Sequence, residues 1–115
     1  MLCLHSTLEI FTIRPDGSEM HRVTKNTTGD YYPAYSPSGK RIAYNRQDGR
    51  DLDIFTIGID GTNRRQVTRD RTHDFWPAYS PSGNRIAYTK QIRFDHELFT
   101  IGPMAVIGTD SPTMM

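Results

Sequence analysis

Apolar residues come in short bursts along this chain. Ile10-Phe11-Thr12-Ile13, Arg41-Ile42-Ala43-Tyr44-Asn45 and Asp53-Ile54-Phe55-Thr56-Ile57 are separated by polar stretches that carry Gly, Pro, Asp or Asn. Bursts of this length, rich in β-branched and aromatic residues and bounded by turn formers, predict β-strands, and no segment has helical periodicity. One unit reads as four strands: Tyr32–Ser36, Arg41–Asn45, Asp53–Ile57 and Arg65–Thr68. Ser36-Pro37-Ser38-Gly39 joins the first two, with Pro second and Gly fourth as a type I turn prefers. Asp48-Gly49 and Asp60-Gly61 supply the other breaks. Strands this close must pair as antiparallel hairpins. A sheet wet on one side alternates apolar with polar residues, but Ile54-Phe55-Thr56-Ile57 puts apolar groups on both faces, so the sheet is expected to be covered twice.

The unit repeats. Tyr31–Tyr44 recurs as Phe75–Tyr88 at an offset of 44, and the same offset maps Ile10–Ile13 onto Ile54–Ile57 and onto Leu98–Ile101. Residues 10–44 and 54–88 share 21 identities in 35 positions. Four-stranded sheets repeating at about 40–45 residues and stacked face to face are β-propeller blades. A β-sandwich needs no strict period. The predicted fold is therefore all-β: an incomplete propeller of antiparallel four-stranded blades. Residues 1–30 hold the last two strands of one blade and a connection, 31–74 a complete blade, 75–102 a partial blade, and 103–115 an atypical tail.

Pro33-Ala34-Tyr35-Ser36-Pro37-Ser38-Gly39-Lys40-Arg41-Ile42-Ala43-Tyr44, then Asp53–Ile57, Asp60-Gly61 and Gln66-Val67-Thr68, resemble the TolB-type WD-like propeller repeat over about residues 8–102. Ser38 and Ser82 stand where that family has Asp, and Tyr35 and Tyr79 where it has Trp. The resemblance implies a docking surface of the kind found in the bacterial Tol–Pal system, with a periplasmic or other cell-envelope location. Beside a truncated fragment with no independent function, the rival reading is the substrate-gating propeller of prolyl-oligopeptidase-type peptidases. In neither does the propeller perform the chemistry.

Closed propellers have four to eight blades, and six would need about 24 strands. The repeat here accounts for nine, so a fragment of a longer propeller is expected. Open blade faces make self-association the competing expectation. Ring closure between copies fits poorly, because Leu98–Ile101 would contend with the neighbour's residues 10–13 for one strand slot. Two terminal features support the fragment reading. Residues 1–7 have neither a basic start nor an apolar stretch, unlike a signal peptide. Residues 103–115 abandon the repeat and hold three of the five methionines.

Composition narrows the chemistry. With 14 Lys+Arg against 13 Asp+Glu, the net charge of +1 argues against nucleic acid as partner. No apolar run approaches the length of a membrane span. Cys3 is the sole cysteine, so an internal disulfide and a cysteine metal cluster are excluded. No G-x-S-x-G elbow is present, and Ser36, Ser38, Ser80 and Ser82 belong to turns. His96-Glu97 lacks a second His at H-E-x-x-H spacing, while His5, His21 and His73 are scattered, so no metal or other cofactor is expected. Asp48–Asp51 and Asp60–Asn63 lack the alternating carboxylates of a calcium loop. Arg64, Arg65, Arg69 and Arg71 read as a solvated face, and Asn26-Thr27-Thr28 as a weak glycosylation acceptor.

A protein partner fits best. The second-to-third loop and the blade-to-blade loop emerge on one end of a four-stranded blade, and scaffold-fixed loops commonly carry binding. That end gathers Asp30, Tyr31, Arg46, Asp48, Arg50 and Asp51 from one unit. The next unit adds Arg71, His73, Asp74, Phe75, Arg93 and Asp95. Arg beside exposed aromatics is a frequent hot-spot mixture. Tyr32 and Trp76, each preceding a proline, are expected to pack between blades and stay outside the docking set.

Overall fold

In the computed structural model, residues 8–25, 29–48, 51–69 and 72–102 are described. Arg50, Arg71, the Asn26–Thr28 acceptor and the 103–115 segment lie outside them. The described residues form nine strands and no helix. Strand β1 (Phe11–Thr12) pairs with β2 (His21–Arg22). Next, β3 (Gly29–Tyr35), β4 (Arg41–Asp48), β5 (Asp51–Gly58) and β6 (Arg65–Gln66) form a four-stranded antiparallel meander. Finally β7 (His73–Tyr79), β8 (Ile86–Ile92) and β9 (Asp95–Ile101) form a three-stranded one.

Turn chemistry sets the hairpins. Gly39 takes φ +76° and Gly83 φ +81°, a left-handed conformation that favours glycine. The Gly39 N–H donates to the Ser36 carbonyl at 2.9 Å, closing the turn. The Ser36 hydroxyl accepts from the Arg41 N–H at 3.1 Å, and Ser80 does the same for Arg85 at 3.1 Å. These serines act as turn braces.

Strand ends differ from the sequence expectation. The strand expected over Arg41–Asn45 continues to Asp48, which pairs with Asp51 of β5. The reason is that Asn45 and Arg46 are buried with partners of their own. Conversely β6 is only two residues long, because a side chain takes over the pairing. The Ile54 N–H donates to the Thr68 hydroxyl at 2.9 Å, as the Ile10 N–H does to Thr24 at 3.0 Å. This explains the recurrent Val-Thr pair: Val fills the core and Thr latches the outer strand.

The core lies in two seams between sheets, built from the same repeat positions. Ile10 and Val23 of the first sheet meet Ile42, Tyr44, Phe55 and Ile57 of the second. Forty-four residues on, Ile54 and Val67 meet Ile86 and Tyr88, with Ile101 packed alongside. The Tyr44 and Phe55 rings lie 5.9 Å apart and tilted by 32°, while Tyr88 and Phe99 lie 6.1 Å apart at 29°. Strand β5 therefore sends Ile54 into one seam and Phe55 and Ile57 into the other, so it is covered on both faces. Close approach tightens the first seam further: a Cβ on Gly61 would stand 2.9 Å from the Val23 carbonyl oxygen.

Repeat positions thus become an internal control for burial. Ile54 is fully buried whereas its repeat equivalent Leu98 is 81% exposed. Ile54→Ala is expected to cost about 2–5 kcal/mol and Phe55→Ala about 3–5 kcal/mol. Leu98→Ala should stay within about 0.5 kcal/mol, as surface changes do. Urea unfolding of the three variants at low protein concentration checks this ranking.

Candidate interaction surface

The first strand of each larger sheet carries a bulge. Register slips between Tyr31 and Ala34 in β3 and between Phe75 and Ala78 in β7. At the slip Tyr32 has φ 58° and Trp76 φ 57°. Bulky residues rarely take this conformation, and holding one there costs on the order of 1–3 kcal/mol. The surroundings impose it. Pro77 has no N–H for the ladder, and the Trp76 N–H, turned out of register, donates to Asn45 Oδ1 at 2.9 Å. Asn45 Nδ2 donates in turn to the Asp74 carbonyl. One fully buried amide on β4 thus grips the bulge of the neighbouring sheet.

The bulges turn aromatic rings outward in a continuous strip. Tyr31 meets Tyr32 at 4.9 Å between centroids, Tyr32 meets Trp76 at 5.6 Å, and Trp76 meets Phe75 at 4.8 Å. His96 extends the row against Phe75 at 5.9 Å. Tyr32 and Trp76 do bridge the two sheets, as expected, but they remain 44% and 54% exposed. Packing between the sheets therefore leaves a large part of each ring in contact with solvent. A seam between first strands has an open flank, and the left-handed bulge directs the rings towards it.

The sequence-selected residues divide into two groups. Arg46 and Asp74, expected on loops, lie in β4 and β7 and are buried. Arg46 Nε approaches Asp30 Oδ1 at 3.3 Å, and Lys90 Nζ approaches Asp74 Oδ1 at 3.1 Å. These are one ion pair written twice, 44 residues apart. Each cation also sits over the seam aromatic, Arg46 at 5.0 Å from the Phe55 centroid and Lys90 at 5.5 Å from Phe99. Their role is to neutralise buried charge. Tyr31, His73 and Phe75 lie half-buried in β3 and β7, Asp51 half-buried at the start of β5, and Arg93 exposed in the β8–β9 turn. Arg64, Arg65 and Arg69 are exposed, as expected of a solvated face.

A concavity of about 480 Å³ opens between β2 and the β5–β6 connection, lined by His21, Lys25, Tyr44, Asp60 and Arg64 among others. The hydrogen bond from the Thr62 hydroxyl, with that from its N–H, lowers the Asp60 carboxyl below its ordinary value. Burial, reinforced by Asp30, pushes the Tyr44 phenol up to about 12. Its hydroxyl is buried with no hydrogen-bond partner among the described residues.

A chain from Agrobacterium tumefaciens solved as a TolB superposes with a TM-score of 0.73 and 22% identity, over 82% of this chain and 37% of that one. TolB from Acinetobacter baumannii superposes with a TM-score of 0.72 and 20% identity, over 82% of this chain and 24% of that one. The fold is that of a TolB-type β-propeller. Its described part comprises one four-stranded blade and two partial ones. The chain spans between about a quarter and somewhat more than a third of the length of these TolB structures. Dipeptidyl-peptidase 5 of Porphyromonas gingivalis is 36% identical over 47 residues, which is 41% of this chain and 7% of that protein. No protein-family model matches the chain.

Two outcomes are expected of the TolB-type blades. Asn45→Ala strands a buried donor and a buried acceptor, so it should cost about 1–3 kcal/mol or more and shift the emission of Trp76, the sole tryptophan. Denaturation followed by fluorescence reads both. For Tyr44 the native phenol titrates near 12 against about 10 in the unfolded chain, so its native form is neutral. Its contribution is intact below pH 10 and lost as pH rises towards 12. Tyr44→Phe should flatten that alkaline decline and cost under about 1 kcal/mol at pH 7, since no hydrogen bond is broken.

Proposed function

We propose that this chain is a non-enzymatic interaction module whose protein partner docks on the strip formed by Tyr31, Tyr32, Phe75 and Trp76. The observation that carries this reading is that two large aromatics stand exposed on left-handed backbone, Trp76 with its N–H held by the buried Asn45 amide. Rigid aromatics with one polar end give contact area at little ordering cost, which suits them as binding anchors. Asp51, His73 and Arg93 supply the polar rim, and Arg50 and Arg71 belong to the same expected set.

The match to a dipeptidyl-peptidase supports a second reading. There the strip faces peptide substrate on its way to a catalytic domain, and the propeller selects while another domain cleaves.

A photo-reactive benzoylphenylalanine placed at Tyr32 or Trp76 in cells separates the readings, with Arg14, exposed in the β1–β2 turn, as control position. One discrete protein adduct at positions 32 and 76, absent at 14, is the expected result. A ladder of short peptides instead favours the peptidase reading. Equal adducts at all three positions, or none at 32 and 76, defeats docking on the strip.

A further inference from the structure

The concavity between β2 and the β5–β6 connection is lined by groups that the fold itself leaves unused. Both of its walls belong to the seam between the first two sheets, where Gly61 closes against the Val23 carbonyl. Its volume of about 480 Å³ lies within the range of small-molecule sites and is far more than one water or one inorganic ion fills. Val23 and Ile57, both buried, supply apolar wall. Around them stand His21, Arg22, Lys25 and Arg64, against the one carboxylate of Asp60.

These charges are not equally occupied. Arg22 approaches Glu9 at 3.5 Å, and its Nε–H donates to the Thr24 carbonyl at 3.0 Å. Asp60 braces its own turn, accepting from the Thr62 hydroxyl at 2.6 Å and from the Thr62 N–H at 3.0 Å. Lys25 and Arg64 are exposed and have no ion-pair partner among the described residues. Tyr44 adds a fully buried side chain whose hydroxyl has no partner among the described residues. Buried polar groups nearly always have partners, so a lone phenol donor marks a place for an acceptor. The Arg64 guanidinium lies 5.9 Å from the Phe55 centroid, and the Phe55 ring lies 5.9 Å from that of Tyr44, which gathers cation and phenol around one ring. The repeat supplies a control. Val67, Tyr88 and Ile101 match Val23, Tyr44 and Ile57 at an offset of 44, but Asp60–Arg64 corresponds to the uncharged Met104-Ala105-Val106-Ile107-Gly108. The polar chemistry is therefore not something every seam of this repeat needs.

We infer that this concavity binds a small organic carboxylate with an apolar body, its oxygens taken by Arg64, Lys25 and the Tyr44 hydroxyl and its body resting on Val23 and Ile57. A guanidinium matches a carboxylate in a two-pronged fashion that an ammonium does not, so Arg64 is the main anchor. The neutral phenol can only donate to such an oxygen, and the apolar wall distinguishes an organic acid from a bare anion. The site is separate from the aromatic strip and does not depend on the docking proposed there.

Phenylacetate is the probe, titrated into the isotope-labelled chain and followed by amide chemical shifts. Phenylacetamide serves as the uncharged analogue of the same shape, and inorganic phosphate as an anion without an apolar body. Shifts should cluster at Val23–Lys25 and Gly58–Arg64, with phenylacetate binding about tenfold or more tightly than either control. Arg64→Gln, at an exposed position, should weaken phenylacetate about tenfold, Lys25→Gln should act in the same direction, and Tyr44→Phe should cost about threefold or more. Phosphate or the amide binding as well as phenylacetate overturns the inference. So do shifts scattered outside the two segments, an affinity that none of the three variants changes, or no shift with phenylacetate up to the millimolar range.

Discussion

Face-to-face burial of small sheets governs this molecule. No sheet here is large enough to enclose a core alone, and β5 carries apolar side chains on both faces. Each sheet is stable only as far as its neighbours exclude water from those faces, which is the economy of all stacked repeats. The 44-residue period follows from that constraint. Once a seam of Ile, Val, Tyr and Phe works between two sheets, repeating the same positions makes the next seam work too. The ring pairs Tyr44–Phe55 and Tyr88–Phe99, at 5.9 and 6.1 Å, are the same contact made twice.

Polar groups inside the stack are arranged by the same logic. Asp30 with Arg46 and Asp74 with Lys90 place opposite charges at repeat-equivalent buried positions. Removing one partner would leave the other charged and dry, which is costly even where the intact pair adds little net stability. Asn45 does something the ion pairs do not: it crosses a seam. By accepting from the Trp76 N–H and donating to the Asp74 carbonyl, it ties the register of one sheet to the next. The bulge at Trp76 is held by this brace, and Tyr32 takes the same left-handed conformation in the sheet before it, which completes the outward aromatic strip. Strain at the surface is thus maintained by satisfaction in the interior.

Much of this was legible in the residues. Period, strand count, the Ser-Pro-Ser-Gly turns and two-sided burial at Ile54–Ile57 rest on local chemistry and on self-similarity, and both are properties of sequence order. The site was less legible. Arg46 and Asp74 look like loop residues because charge usually marks solvent, and only a partner 16 residues away in each case turns them into buried structure. Tyr32 and Trp76 look like packing residues because large aromatics usually fill seams. Their exposure follows from a left-handed bulge, for which the one local hint is the proline that follows each.

The order of apolar bursts and turn formers was enough to determine the blade and its repetition, since hairpins close over short distances and a period needs no third dimension to be seen. Which side of each sheet meets a neighbour, which charges neutralise one another and which rings remain in water were decided only when the sheets stacked. Those outcomes depend on groups far apart in the chain arriving at one seam, and residue order alone carries no distance between them.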